Sequence, residues 1–579
     1  MSSSMDLRPE SSSDSNPSPP PKRAPGLLGV LKRHIRFIGP GIVTSAAYYD
    51  PGNWATNIQA GSLFGNIHLF VLLLAICLAI FLQILATRLG FVSRKDISQN
   101  CRAVLYSQPQ KKTWFRSFLL YSLWLLFEVG ILFADMGELL GSTIAYTLLI
   151  PQLPVWAATL LTFPEVFLAL LFFRKGKRSR RSMQLFEIMI TLVVMIVVVS
   201  SLILMFKVKP NFLEVFKGYI PQSKLISGTA LYTAIGILGA TVGPHSIILG
   251  ATMATQDSTY DDHDQVQKSQ TASKDLRNLN PSIPDPEKQS YQFPSLENPT
   301  SSTLSTLEEP SSTSRSLLGC KSYLAHASFD IAASIFTLPL IVNSAILVAS
   351  STEFFYTKKP GAESTDQADI TSMHALLKTN LGPGFATLFA ISLLLSGQAA
   401  SLTITIAGQS VSEGFLQRQI SPLMRRLITR TLGIIPAVII SALSGKDGIS
   451  SMLIATQVAI SIFLPFAIIP LAYFAARKDV MSISMQSTPQ PFPTNEPFKH
   501  NQSISKTQEI YPIDKQHVIK NQNHHVSFPF RHQTELSNPE PPKYHSFANG
   551  KIVNIIVCLI VVIVLVSNTY GIYQAVASD

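Results

Sequence analysis

The chain reads as an all-α polytopic membrane protein of about 11 transmembrane helices, an inverted 5+5 repeat in which helices 1 and 6 are broken. Two observations predict this. The 579 residues are 47% hydrophobic and only 14% charged, with apolar runs that repeatedly reach the roughly 20 residues needed to span a bilayer. Two of those runs are interrupted at their centres, by Asp50-Pro51-Gly52-Asn53 in the first and by Gly243-Pro244-His245 in the sixth. A soluble enzyme is excluded by this composition.

The candidate spans lie near residues 35–60, 67–88, 118–149, 153–173, 183–206, 228–254, 328–350, 384–409, 427–445, 451–475 and 552–574. Spans one to five and six to ten then form halves of opposite orientation, and the two breaks face each other across an axis in the membrane plane. The first span is not a cleavable signal peptide, because a long Ser/Pro-rich segment precedes it and the break lies inside its apolar run.

The formal net charge of +11 could suggest a nucleic-acid partner, but its distribution argues otherwise. Lys22, Arg23, Lys32, Arg33 and Arg36 precede span one. Arg88, Arg94, Lys95, Arg102, Lys111, Lys112 and Arg116 surround the loop after span two. The run from Arg174 to Arg181 follows span four, and Arg418, Arg425, Arg426 and Arg430 follow span eight. Cations concentrated in alternate loops place the N-terminus in the cytosol, and an odd span count places the C-terminus outside. Cys77 and Cys558 fall within spans and Cys101 and Cys320 in predicted cytosolic segments, so no disulfide framework is implied.

Residues 1–30, 258–320 and 478–548 are rich in Ser, Thr, Pro, Gln and Asn, and are expected to be disordered and cytosolic. They separate 31–257 (the first repeat and span six) from 321–477 (spans seven to ten) and 549–579 (span eleven). As cytosolic segments they are candidate contacts for trafficking or ubiquitination machinery, or simply solvated spacer. Asn501-Gln502-Ser503 fits a glycosylation sequon but lies in a predicted cytosolic loop, so it is expected to be unmodified.

Asp50-Pro51-Gly52-Asn53 would also make a good reverse turn. Residues 35–49 are too few, however, to cross about 30 Å of hydrocarbon at about 1.5 Å per residue. The segment must continue past the break to span. Interrupted spans in corresponding positions of two halves are a pointer to a transporter's binding site. An acid at mid-membrane costs about 2.5–3.5 kcal/mol on insertion scales and needs a cation, a donor or water. Asp50, the Asn53 amide oxygen and freed backbone carbonyls make an oxygen-rich cage suited to a divalent metal.

The stretch Gly39-Pro40-Gly41 through Asp50-Pro51-Gly52-Asn53, then Leu82-Gln83 with Arg88-Leu89-Gly90, resembles the start of the natural resistance-associated macrophage protein family. The likeness continues through Glu128-Val129-Gly130, Ala134-Asp135-Met136-Gly137-Glu138 and Gly239-Ala240-Thr241-Val242 before Pro244-His245. It extends to Ala407-Gly408-Gln409, Glu413-Gly414-Phe415 and Leu464-Pro465-Phe466-Ala467. The resemblance implies a LeuT-like fold of two inverted five-helix repeats plus an extra helix, and proton-coupled movement of divalent metal into the cytosol. It maps the metal ligands to Asp50, Asn53 and the Ala240 backbone carbonyl.

One departure bears on selectivity, because the family usually has methionine where this chain has Gly243. A thioether favours soft transition metals, whereas glycine offers only its carbonyl or room for water. Two readings follow. The first is a Mn2+ site, with Fe2+ also admitted, in which water replaces the missing ligand; the second is a harder site admitting Mg2+ or Ca2+.

Glu128, Asp135 and Glu138 fall on one face of span three, at spacings of seven and three, and suggest a proton path. Some of them could instead pair with basic residues. The resemblance adds weight to Asp135 and Glu138. His245 titrates near neutral pH when unperturbed and could relay protons or be a plain buried histidine. Gln457 and Asn568 are mid-span amides that could complete the cage or line the pathway, or merely hydrogen-bond helix to helix. Glu187 and Asp330, near cytosolic span ends, are candidate inner-gate partners of arginines.

The function expected is therefore proton-coupled divalent-metal transport in a lipid bilayer, in the plasma membrane or a vacuolar or endosomal membrane. No organic cofactor and no nucleic acid are implied, and no phosphate-binding glycine loop suggests hydrolysis. An amino-acid carrier of similar architecture is opposed by Asp50, which would repel a substrate carboxylate. A non-transporting sensor or scaffold is opposed by the retention of both Asp50 and Asn53.

Overall fold

Hydrocarbon offers a backbone group no partner except another backbone group, and the apolar runs of this chain are helical for that reason. The computed structural model describes residues 40–107, 113–171, 180–226, 228–255, 317–357, 368–417, 421–485 and 543–577. Span one is α1 (Pro40–Ser45), a 3-10 turn (Ala46–Tyr48) and α2 (Pro51–Phe64), broken at Tyr49 and Asp50. Then come α3 (Leu69–Ser93), the short α4 (Ile97–Tyr106), α5 (Thr113–Leu149), α6 (Val155–Leu171), α7 (Arg180–Lys207) and the short α8 (Phe212–Gly218). Span six is α9 (Gly228–Thr241) followed, across a break at 242–243, by α10 over residues 244–255.

The second half contains α11 (Leu317–Ser350), ending in a π-helical turn at Ser351–Tyr356, and the short α12 (Ile370–Asn380). It continues with α13 (Pro383–Leu416), α14 (Pro422–Ala476) and α15 (Lys551–Ala577). The 55 residues of α14 are not one rod: Gly445, at φ 60° and ψ −139°, turns the chain between two spans, a backbone conformation that glycine adopts without steric cost. Eight stretches among the described residues are long and apolar enough to cross a membrane. Two of them are double, Pro51–Ser93 holding α2 with α3 and Leu423–Ala476 holding both halves of α14. With the shorter apolar α6 they make the eleven spans expected.

The helix ends are built by local chemistry. Asp50 caps α2, its carboxylate accepting the Asn53 N–H at 2.7 Å, and Pro51 fills the first helical position, where a missing N–H costs nothing. Asp96 caps α4 in a capping box with Gln99 and also accepts the Ser410 hydroxyl of α13 at 2.7 Å, while Thr252 of α10 donates to that same hydroxyl at 2.7 Å. Three helices are tied together there. Toward lipid, Ile552, Ile555, Leu559, Val562 and Val566 of α15 are exposed, as are Trp114, Phe118 and Tyr121 near the start of α5. Aromatic residues at a span end suit the membrane interface.

Most of the segments expected to be disordered, and the sequon at Asn501, lie outside the described residues. Their edges correct the boundaries drawn from composition. Helix α11 begins at Leu317, inside the segment drawn to 320. Ser482–Met485 pairs antiparallel with Lys543–Ser546, in the register Ser482 with Ser546 and Met485 with Lys543, so the segment 478–548 begins and ends in a two-stranded ribbon. The ribbon is pinned at its base. The Phe547 N–H donates to the Met481 carbonyl, the Asn549 N–H to the Ala475 carbonyl, and Arg88 of α3 to the Phe547 carbonyl at 2.8 Å. Composition averaged over the long segment hides strands of four residues.

Candidate metal centre and its ion-pair neighbour

The two breaks meet. The Asn53 side-chain amide, one turn into α2, donates to Asp50 Oδ1 at 2.9 Å and to the Ala240 carbonyl of α9 at 2.9 Å. Its own oxygen accepts the Thr241 hydroxyl at 3.1 Å. Asp50 is 4% exposed and Asn53 fully buried. The NH2 group of Asn53 therefore stands between a carboxylate and a carbonyl, the two oxygens that would coordinate a cation. Thr241 was not singled out from the sequence; its position beside Ala240, in the last turn before a break, is the signal that could have found it.

Gln457 of α14 joins them. A side chain on Gly52 would collide with its amide, and one on Gly137 of α5 would come within 2.9 Å of its nitrogen. Its Oε1 is buried with no hydrogen-bond partner. An orphaned buried oxygen is costly, and here it lies against the Asp50-Pro51-Gly52-Asn53 break. Glu138 of α5 lies within hydrogen-bonding reach of Asp50, and its Oε2 likewise has no partner. No group of three or more His, Cys, Asp or Glu side chains gathers among the described residues. The donors are one aspartate, two amides and a carbonyl, a set suited to a cation that accepts oxygen ligands.

The Gly243 carbonyl accepts the N–H and the hydroxyl of Ser246, at 3.2 and 2.7 Å, and is engaged there rather than free. The place of the missing side chain at Gly243 is taken by His245. The imidazole is 1% exposed and neither ring nitrogen has a hydrogen-bond partner.

The three acids of span three part company. Glu128 pairs with Arg425 at 2.6 Å and accepts from Ser412 at 2.6 Å and Trp124 at 3.2 Å. Asp135 pairs with Arg426 at 2.7 Å and Arg430 at 3.4 Å. Arg426 and Arg430 also reach the Ser401 hydroxyl of α13. For these two acids pairing with basic residues is what the structure contains; Glu138, which makes no such pair among the described residues, lies beside Asp50. Arg425, Arg426 and Arg430 looked like loop cations because they follow an apolar run. They are buried in the first turns of α14.

Asn568 donates to the Ser461 carbonyl at 2.6 Å. It joins α15 to α14 helix to helix, the second of the two roles expected for it. Asp330 accepts the Gly41 N–H at 2.9 Å and so caps α1; among the described residues no arginine pairs with it. The side chain of Glu187 lies outside the described residues.

The description Natural resistance-associated macrophage protein-like matches residues 41–490. The chain is 31% identical over 550 residues to manganese transporter SMF1 of Saccharomyces cerevisiae, covering 94% of this chain and 86% of that protein. It is 31% identical over 458 residues to iron transporter SMF3 of the same yeast, covering 79% and 85%. A crystal structure of the Eremococcus coleocola manganese transporter superposes with a TM-score of 0.62 at 22% identity, over 93% of this chain and 86% of that one, and shares the fold. By the family match, and by identity over most of its length, the chain is a member of the natural resistance-associated macrophage protein family.

Proposed function

We propose that this protein carries divalent metal, Mn2+ foremost and Fe2+ as well, across its membrane into the cytosol together with protons. The observation that carries the reading is the Asn53 amide held between Asp50 and the Ala240 carbonyl, a pair of N–H donors where a cation would sit. Manganese and iron transporters among its relatives support the choice of metal. The alternation of basic loops supports a cytosolic N-terminus.

On this reading the arriving metal displaces the amide donors. Asn53 turns its oxygen inward and gives up the Thr241 hydroxyl, Asp50 contributes the freed carboxylate oxygen, and Gln457 contributes Oε1. Glu138, beside Asp50 and with one oxygen unpartnered, is placed to take a proton exchanged at the cage. Along the same helix Asp135 and Glu128 meet the arginines of α14, so proton and metal part from adjacent acids.

A second reading has its own observation. Gly243 supplies no sulfur and its carbonyl is engaged by Ser246, which leaves oxygen donors that Mg2+ and Ca2+ accept. Mn2+ uptake into proteoliposomes under an inward proton gradient, with Mg2+ and Ca2+ in large excess, separates the two. Proton-stimulated uptake that resists competition is expected. Efficient block together with Mg2+ or Ca2+ flux would reassign the substrate, and no flux of any ion would remove the transport reading.

A further inference from the structure

We propose that His245 is a metal ligand of this chain, its imidazole supplying the non-oxygen donor that position 243 does not. The inference rests on the transport reading above.

Gly243 and His245 form one structural unit. A Cβ on residue 243 would lie 2.5 Å from His245 Cε1 and 2.7 Å from Nδ1, well inside van der Waals contact, so the ring occupies the volume into which any side chain at 243 would project. The glycine is what admits the ring. That volume borders the break in span six, three residues beyond the Ala240 carbonyl that the Asn53 amide already contacts. On the other side the ring meets Ala47, in the turn immediately before the break in span one. The imidazole thus lies between the two interrupted segments.

Both ring nitrogens are buried without a hydrogen bond. A buried polar group left unpaired costs about 1–3 kcal/mol. Binding a cation through one nitrogen removes that cost, and the other nitrogen then needs an acceptor. The Ala47 carbonyl approaches the ring without closing a hydrogen bond, and a backbone carbonyl is a usual acceptor for the second N–H of a metal-bound histidine.

The chemistry has a consequence for selectivity. Neutral imidazole suits first-row transition metals, whereas Mg2+ and Ca2+ prefer oxygen. One nitrogen added to Asp50, Asn53, Gln457 and the Ala240 carbonyl tilts the cage toward Mn2+ and Fe2+ without a thioether.

Pulsed electron paramagnetic resonance of Mn2+ bound to the purified full-length protein tests this directly. Protein made with and without 15N-histidine is compared with His245→Ala and His245→Asn. A histidine nitrogen coupling to Mn2+ is expected in the wild-type protein, shifted by the label and absent from both variants. Those variants should bind Mn2+ about tenfold more weakly while Ca2+ binding changes little, a tenfold change being about 1.4 kcal/mol. Mn2+ that depends on Asp50 yet shows no histidine coupling in the wild-type protein would overturn the proposal with the transport reading intact. A coupling that persists in both His245 variants would overturn it too. If the wild-type protein binds no Mn2+, the transport reading falls and His245 falls with it.

Discussion

Two polar regions are buried in this bundle, and they differ in what they leave unfinished. Between α5 and α14, Glu128 and Asp135 each meet a guanidinium within 2.7 Å. Between the two breaks, Glu138 Oε2, Gln457 Oε1 and both nitrogens of His245 have no partner. Charges are retained inside proteins when they are paired, because an isolated ion is far more expensive than a bound one. In the first region each carboxylate is matched by a guanidinium, and the buried atoms left without a partner, Arg426 Nε and Arg430 Nε, are N–H donors that cannot bind a cation. In the second the unpartnered atoms include ligating oxygens and nitrogens, and the space between Asp50 and the Ala240 carbonyl is closed by one amide. On the proposed reading a cation enters the second region and not the first.

The contrast breaks first at Asp50. Asp50→Ala removes the one carboxylate of the cage, and Mn2+ uptake should fall by more than the about 10–100-fold typical for loss of a group supporting a metal ligand. Surface expression should be normal. Uptake near the wild-type rate at matched expression would show that the cage is not where metal binds.

In the paired region the same kind of deletion should damage folding instead. Arg426→Ala removes the shorter of the two ion pairs of Asp135, and breaking a buried pair costs about 3–5 kcal/mol. Thermal unfolding in detergent should show a marked loss of stability, and removing Asp135 as well, as Asn, should recover part of it. A single variant as stable as the wild-type protein would mean that the Asp135–Arg426 pair does not hold α5 to α14.

Smaller changes sharpen the comparison within the cage. Gln457→Leu should weaken Mn2+ binding by about 10–100-fold, since a hydrogen-bond-type contact to a charge contributes about 1.5–3 kcal/mol. An unchanged affinity in a titration would remove Gln457 from the ligand set. Thr241→Val should act in the opposite direction. The hydroxyl holds Asn53 in its metal-free orientation, and a hydrogen bond of about 0.5–1.5 kcal/mol lost from the empty state alone should tighten binding several-fold. Weaker binding would place Thr241 among the ligands.

The smallest effect belongs to Asn568. Its amide links α15 to α14, and such bonds in membranes average about 0.6 kcal/mol. Asn568→Leu should lower thermal stability slightly and leave Mn2+ affinity unaltered. A change in affinity would return this residue to the pathway.

Much of this was legible in the chain alone, for identifiable reasons. The breaks at Asp50-Pro51-Gly52-Asn53 and Gly243-Pro244-His245 stand out because proline and glycine cannot hide inside an apolar run. Asp50, Asn53 and Ala240 follow from those breaks together with the family resemblance, and all three meet in the structure. The paired acids and arginines are half visible: the acids at 128 and 135 lie inside an apolar run, but Arg425, Arg426 and Arg430 sit at the margin of another, where a basic residue is ordinarily a loop cation. Gly243 was read through what it lacks. Its carbonyl and the volume beside it depend on where Ser246 and His245 turn, and no spacing rule gives that.

Hydrophobicity, charge alternation and helix breakers are properties of residues and their order, so the eleven spans, the two interruptions and the membrane-spanning class were determined by the sequence by itself. Partnership between residues about 190 or 290 positions apart is not. Whether Glu128 faces an arginine or the cage, whether Asn568 reaches metal or only a neighbouring helix, and which group fills the space beside Gly243 were decided by packing, because a buried polar atom takes whichever partner the fold brings within about 3 Å.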